Sequence, residues 1–182
     1  MLVRSRDPYR VLRALISQVS THVVPEGHSV LEGVAVGRSG RVVLMTNPQN
    51  RVAFERAAAR LGLRVSDTPT AVIRSDPPAV VVGSLWPELD LAPLREIATR
   101  RTGGTGDPEP LEWGTHELVA LAVLGAANAA NVFGEMGPLS GPDLADAPDL
   151  HALLSLARSV RTLSGVGLEA VAAVVDGLSS VN

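Results

Sequence analysis

The first twenty residues carry apolar side chains at helical spacing. Residues three and four positions apart share one face of a helix. Five apolar positions follow that spacing: Val11, Leu12, Leu15, Ile16 and Val19. Asp7 suits the N-cap position and Pro8 the first helical turn. The pattern predicts a helix over about residues 8–20.

The next two apolar runs have the pattern of a β-hairpin. Residues 29–36 and 41–46 are strand-like, and the sequence GRSG stands between them. Short strands joined by a glycine-bearing turn of this length are typical of a hairpin. We expect Gly37 and Gly40 to supply the turn conformations.

An alanine-rich segment follows the polar residues 47–50. Asparagine is a good N-cap, so the helix is predicted to be capped by Asn47 or Asn50. It is expected to run to about Leu61 and to stop at Gly62, because glycine is the usual C′ residue of a helix.

Three short apolar runs come next, at 63–65, 70–74 and 79–83. The sequences SDTP and SDPP separate them, and both are rich in turn residues. These runs are predicted to be strands, so the first half of the chain is mostly sheet.

The second half is predicted to be mainly helical. Its predicted elements are a helix at 92–101, a flexible Gly/Pro loop at 102–112, helices at 115–133, 149–159 and 167–179, and a short strand within 160–165. Residues 118–132 are apolar on nearly every side of the predicted helix. Such a helix is covered by other elements or leaves one face for a partner, so we expect a homodimer or a complex with another protein that buries this region.

These elements predict an α/β fold for residues 1–182 as a single domain. A twisted, mixed sheet is flanked by helices, and the C-terminal part is helical. The alternative is a flavodoxin-like or receiver-like fold, because residues 41–83 also fit the order strand, helix, strand, strand. That alternative leaves residues 1–30 and the C-terminal part without a role.

Composition narrows the chemistry. The chain has no cysteine, which excludes disulfides and thiolate chemistry and fits the reducing cytoplasm. All 16 basic residues are arginine, so no lysine can bind a phosphate or form a Schiff base. Residues 1–101 hold 14 arginines and 9 acidic residues, whereas residues 102–182 hold 2 and 10.

The same composition argues against two classes of partner. The arginines are scattered and aromatic residues make up only 3% of the chain, which disfavours a nucleic-acid site. The longest apolar stretch, 118–134, contains two asparagines and is too short for a membrane span.

The turn at 46–50, TNPQN, occupies the place of a phosphate-binding loop between a strand and a helix. Such a loop needs glycines and a lysine, and this turn has neither. Pro48 also removes a backbone amide. We interpret the turn as a plain connection, in which Arg51 is the candidate for contact with an anion at the helix N-terminus.

Few other polar residues suggest chemistry. Asp67 lies in a turn sequence, where aspartate usually caps its own backbone, and it is the candidate base. Asn128 and Asn131 lie three apart on a predicted apolar helix and are expected to line a pocket or to bond a neighbouring segment. Thr115 is the expected cap of that helix. The four histidines lack metal-ligand spacing, so no metal site is expected.

Taken in order, several segments resemble the HPr kinase/phosphorylase C-terminal-domain-like family, which has a phosphoenolpyruvate-carboxykinase-type fold. The similar segments are RVLRALI, HSVLEGVAVGRSGRVVLM, RVSDTPTAVIRSDPPAVVV, LWPELDLAP and the C-terminal LHALLSLARSVRTLSGVGLEAVAAVVDGL. The family's glycine-rich phosphate loop with its lysine is missing. Of its paired aspartates only Asp67 remains, with Thr68 in the second place.

The resemblance implies a degenerate, pseudokinase-like member of the family. Its members phosphorylate a serine of a carrier protein or stand beside peptide-modifying enzymes. We therefore expect a non-catalytic binding or scaffold subunit, without a cofactor, that engages a peptide or protein partner in the cytoplasm. The alternative is a phosphotransferase or another enzyme with a remodelled pocket around Asp67, Arg51 and Asn128.

Overall fold

A computed structural model describes residues 11–16, 27–45, 48, 50–68, 70–83, 108–123, 156, 158–164 and 166–178 of the chain. The strands are β1 (His28–Glu32), β2 (Val34–Arg38), β3 (Arg41–Met45), β4 (Arg64–Val65), β5 (Thr70–Ser75), β6 (Pro78–Val82), β7 (Gly114–Val123) and β8 (Arg161–Ser164). The helices are α1 (residues 11–16), α2 (Arg51–Arg60) and α3 (Leu168–Val175), and residues 156 and 158–159 are also helical.

All eight strands belong to one mixed sheet. Their order is β1-β5-β6-β7-β3-β2-β4, with β8 paired to β7. Strand β7 is parallel to β3 and β8, and the other pairs are antiparallel. The predicted α/β fold with a mixed sheet and flanking helices is confirmed. The mainly antiparallel pairing of the described strands differs from the parallel sheet of the flavodoxin-like alternative.

The sheet separates two apolar layers. Successive residues of β2 and β3 alternate between the layers, as the geometry of a strand requires. One layer joins the sheet to α2 and α3 and contains Val34, Val36, Val43, Met45, Phe54, Ala58, Val171 and Val174. The other contains Ala35, Val42, Leu44, Ile73, Val80, Leu111, Leu118 and Leu156.

Strands β2 and β3 form the predicted hairpin, but with a different turn. Ser39 and Gly40 have φ values of 54° and 79°, and a two-residue type I′ turn needs two positive values. Gly37 instead lies within β2, where a Cβ would stand 2.0 Å from the carbonyl oxygen of Arg41. The expectation that Gly37 supplies the turn was wrong, because its role is the close approach of two strands. Gly33 divides the first predicted strand into β1 and β2.

Helix α2 begins and ends as predicted. The Asn50 side chain accepts a hydrogen bond from a first-turn amide at 3.1 Å. At the other end Gly62 has a φ of 70°. The amide of Gly62 donates to Ala59 and that of Leu63 to Ala58, each at 3.0 Å, which is the Schellman pattern.

Strand β7 is the main departure from the sequence prediction. The helix predicted at 115–133 begins instead as a ten-residue strand in the centre of the sheet. Strand β6 covers one edge of β7 up to Glu117, and β8 covers the same edge from Ala120 onward. Between them Val119 is an extra residue relative to β3, which makes a β-bulge. Thr115 and Glu117 are exposed, but from Leu118 to Ala122 the apolar residues are buried or half-buried on both faces. Periodicity alone does not distinguish such a continuous apolar run from a buried helix, which explains the wrong prediction.

The other described elements agree with the sequence, with one further correction. The predicted strands β4, β5, β6 and β8 and helix α3 are present. Residues 108–112, predicted as part of a flexible loop, pair with β4: Pro110 bridges Val65, and the buried Leu111 donates to Val65 at 2.9 Å. The predictions at 92–101, 102–107, 124–133 and 149–155 lie outside the described residues. In the described part, no helix has the length and apolar character needed to cross a bilayer.

Two arginines beside the turn of the β2–β3 hairpin form hydrogen bonds with the C-terminal ends of α2 and α3. Arg38 donates to the two carboxylate oxygens of Asp176 at 2.9 and 2.5 Å, and to the carbonyl of Leu61 at 2.8 Å. Arg41 donates to the carbonyl of Val175 at 2.6 Å. Leu61 and Val175 lie at the C-terminal ends of α2 and α3. Each helix therefore has an arginine at the negative end of its dipole.

Replacement of the glycine that ends α2 is expected to destabilise the fold. Because Gly62 has a positive φ, a β-branched residue there is strained, and Gly62→Val is expected to lower the free energy of unfolding by about 1 kcal/mol or more. Urea unfolding measures the loss. The control is Ala59→Val, on the exposed side of the same helix, with a cost of about 0.7 kcal/mol or less. Equal losses in the two variants would contradict the left-handed cap.

The Arg38–Asp176 pair is expected to make stability depend on acid pH. The hydrogen bond from Arg38 lowers the pKa of Asp176 below its ordinary value of 3.8. A carboxylate with a lowered folded pKa adds stability above its unfolded pKa and loses it as the pH falls through the folded pKa. The difference in unfolding free energy between wild type and Asp176→Asn should therefore shrink below pH 3.8.

Urea midpoints at neutral and acid pH check this expectation. The control is Asp76→Asn, which changes an exposed aspartate in the β5–β6 turn. A wild-type advantage over Asp176→Asn that is unchanged in acid would rule out the linkage.

Candidate functional site

The segment Ser66–Asp67–Thr68 joins β4 to β5 and is buried. Ser66 extends the pairing of β4 with β2: its amide donates to the carbonyl of Ala35 at 2.8 Å, and its Oγ accepts from the amide of Ala35 at 3.0 Å. The Thr68 hydroxyl donates to the carbonyl of Thr70 at 2.6 Å. The segment is therefore fixed on both sides of Asp67.

Asp67 forms a buried ion pair with α1. Its Oδ2 accepts a hydrogen bond from Nε of Arg13 at 2.9 Å. The exposed fractions of the two side chains are 8% for Arg13 and 0% for Asp67. A buried carboxylate is tolerated only with a close counter-charge and hydrogen bonds, and Arg13 supplies both.

Arg13 is itself held on two further sides. Its Nη2 donates to the carbonyl of Leu111 at 2.7 Å, and its guanidinium lies 5.0 Å from the ring centroid of Trp113. The same indole fills the space beside Gly83, where a Cβ would stand 2.6 Å from the ring. The cluster thus joins α1, the 66–68 segment and the approach to β7 into one packed unit.

Arg51 reaches the same segment from the other side, but it already has partners. Its Nε donates to Oε1 of the buried Glu55 at 2.8 Å, and its Nη2 donates to the carbonyl of Ser66. The predicted candidates Arg51 and Asp67 are therefore brought to adjacent residues of one segment. Arg51 thus makes two bonds within the protein at the N-terminus of α2, and its contact with an anion stays a prediction.

The remaining sequence-based candidates fall in two groups. Asn128 and Asn131 lie outside the described residues. Thr115 was expected to cap a helix, and this was wrong, because it lies on the exposed side of β7. In the described part of the chain, no group of three or more histidine, aspartate or glutamate residues could hold a metal ion.

His116 has one ring nitrogen in a hydrogen bond. Its side chain is buried, and Nε2 lies 2.8 Å from the carbonyl oxygen of Glu112. Because a carbonyl only accepts, Nε2 carries the proton and Nδ1 is left as an acceptor. Nδ1 is buried without a hydrogen-bond partner. The hydrogen bond therefore ties the start of β7 to Glu112, four residues earlier in the chain.

A small cavity lies against the 66–68 segment. Its volume is about 10 Å³, and Asp67, Thr68, Thr70, Val81 and Gly83 are among the residues that line it. That volume is about the room one water molecule needs. A nucleotide or peptide side chain does not fit in it.

The sequence could not identify the residues that hold Asp67. Arg13 is 54 positions away, and arginine is rarely fully buried unless it is paired. The pair can be identified only once the position of α1 against the 66–68 segment is known. Trp113 stands in a segment that the sequence analysis assigned to a loop and a helix start.

The Arg13–Asp67 pair is expected to be a structural bond whose loss destabilises the fold. Arg13→Ala and Asp67→Ala should each lower the free energy of unfolding by about 3–5 kcal/mol, because each removes the counter-charge of a buried ionised side chain. The double variant should cost clearly less than the sum of the two, since no charge is then left alone. Urea unfolding of the wild type, the two single variants and the double variant gives the four free energies of this double-mutant cycle.

Arg74→Ala is the matched control for that cycle. Nε of Arg74 donates at the surface to the carbonyl of Pro77 at 3.2 Å, so its removal should change stability by about 0.5 kcal/mol or less. Additive losses at Arg13 and Asp67 would show that the two groups stabilise the protein independently.

Comparison with known proteins gave no assignment. Neither the protein-family models, nor the curated proteins, nor the solved structures contained a match to this chain. The resemblance noted from the sequence stays a hypothesis, and function is argued from the residues of the site.

Proposed function

We propose that this protein is a non-catalytic, pseudokinase-like binding or scaffold subunit that engages a peptide or protein partner. One observation carries the proposal: Asp67, the candidate base named from the sequence, is buried in an ion pair with Arg13. The sequence resemblance supplies the class of partner, since the family it resembles acts on a carrier protein or stands beside peptide-modifying enzymes.

The environment of Asp67 disfavours a role in proton transfer. A general base must reach the proton it removes, directly or through one water molecule. The side chain of Asp67 has no exposed surface, and Nε of Arg13 binds one of its oxygens. The pair holds α1 against the sheet, which is a structural task.

The turn at 46–50, which occupies the place of a phosphate-binding loop, lacks the groups that phosphoryl transfer needs. That reaction is catalysed by positioning and by cations placed on the phosphate oxygens. The chain has no lysine, and residues 46–50 contain no glycine. Arg51, the cation at the first position of α2, is bound to Glu55 and to the carbonyl of Ser66.

One observation favours the enzyme alternative. Arg51 and Asp67 meet at the same buried segment, as a remodelled catalytic pocket would require. A phosphotransferase, or another enzyme acting on a peptide or small protein, would need both side chains to leave their present partners. Nucleotide binding separates the two proposals.

Titration calorimetry with ATP and magnesium is the first test. We expect neither binding heat nor a shift in melting temperature at millimolar ATP or GTP, because the chain has no lysine and the turn at 46–50 has no glycine to hold the phosphates. A saturable signal that Arg51→Ala weakens would overturn the non-catalytic proposal and favour the phosphotransferase. The melting curve of each sample confirms that the protein is folded.

Binding of a peptide or protein partner is the second test of the proposal. Proteins and peptides encoded by neighbouring genes are titrated into the purified chain, and a complex of fixed stoichiometry is expected with one of them. Phosphorylation or other turnover of that partner in the presence of ATP would support the enzyme alternative instead.

A further inference from the structure

The cavity beside the 66–68 segment lies where β5 and β6 part from each other. The register pairs of the two strands end at Val72 and Val81. Beyond that pair, Thr70 and Ala71 of β5 pair with β1, whereas Val82 of β6 pairs with β7. Thr70, Ala71 and Val82 all line the cavity. The cavity therefore lies between the ends of two neighbouring strands whose pairing with each other has stopped.

Two of the residues that line the cavity carry buried polar groups of different kinds. Oγ1 of Thr70 is buried, and no described residue gives it a hydrogen-bond partner. A buried hydroxyl without a partner is costly, and native proteins satisfy nearly all such groups with protein atoms or with ordered water. The side chain of Asp67 has no exposed surface. An ionised carboxylate accepts at both oxygens, so it can accept more than the one bond from Arg13.

We propose that this cavity is a binding site for one water molecule, which bridges the hydroxyl of Thr70 and the carboxylate of Asp67. The water donates to a carboxylate oxygen, because an ionised carboxylate only accepts. The hydroxyl of Thr70 can either donate to the water or accept from it. The bridge ties the start of β5 to the 66–68 segment.

Size and charge together select water over other ligands. The cavity volume is about 10 Å³, and a bound water needs roughly 10–15 Å³ and about two to four polar partners. A cation is not needed to balance Asp67, because Arg13 already lies 2.9 Å from its carboxylate. A small neutral molecule that both donates and accepts hydrogen bonds fits this site.

The water adds a further link to a segment that two arginines already hold. Arg13 binds the carboxylate of Asp67, and Arg51 donates to the carbonyl of Ser66. The water links the same carboxylate to β5 through Thr70. Because a cavity of about 10 Å³ leaves no room for a substrate beside the water, the water stabilises the segment and is not a reactant.

High-resolution crystal structures of the wild type and two variants test the proposal directly. In the wild type we expect one density peak that lies about 2.5–3.0 Å from Oγ1 of Thr70 and from a carboxylate oxygen of Asp67. Thr70→Val should lose the peak, because a methyl group replaces one of the two partners. Thr70→Ser keeps the hydroxyl and should keep the peak.

Urea unfolding gives an independent answer, because the direction of the change depends on whether the hydroxyl is bonded. If a water satisfies the hydroxyl, Thr70→Val removes a hydrogen bond and should lower the urea midpoint. If the hydroxyl has no partner, the same change removes an unsatisfied buried group and should leave or raise the midpoint. The control is Thr115→Val, the same change at an exposed position of β7, which should leave the midpoint unchanged.

Three results would overturn the proposal. They are the lack of a peak in the wild-type cavity, a peak that survives in Thr70→Val, and a urea midpoint of Thr70→Val that does not fall below that of Thr115→Val. All of these measurements use the chain alone, without nucleotide or partner protein. Nucleotide binding would therefore refute the proposed function without affecting this result.

Discussion

The fold depends on the backbone pairing of β7 along both of its edges. This strand lies between two apolar layers, where an unpaired amide or carbonyl is costly. One edge pairs with β3, whereas the other is divided between β6, which precedes β7 in the chain, and β8, which follows it. The bulge at Val119 falls where the partner changes. Because β7 joins β1, β5 and β6 to β2, β3 and β4, its two paired edges hold the described sheet together.

Arginine makes most of the remaining links, and it does so in one repeated way. Arg13, Arg38, Arg41 and Arg51 each bind one carboxylate and one backbone carbonyl. The planar guanidinium presents several donors in a fixed fork, whereas the ammonium of lysine is a single point charge. A chain that has only arginine as its basic residue can therefore use each cation to tie a side chain and a segment end at once.

Local chemistry made part of this architecture predictable. Asn50 and Gly62 bound α2 as expected, and the turn sequences around the short strands marked β4, β5 and β6, because caps and turns depend on neighbouring residues alone. The strand at 114–123 was missed because its apolar part, residues 118–122, faces both layers and the bulge breaks its alternation. At the site, Asp67 was noticed but Arg13 was not, since an ion pair across 54 residues leaves no local pattern.

The contact between Arg38 and Asp176 spans 138 residues, which affects how the molecule is made. During synthesis the hairpin leaves the ribosome long before α3, and at roughly 5–20 residues per second the interval is on the order of ten seconds. Until then the apolar face of β2 and β3 lacks the helix that covers it, and Arg38 and Arg41 lack their C-terminal carbonyl and carboxylate partners. Closure of that face therefore waits for the synthesis of α3, and a chain truncated before residue 168 lacks this cover.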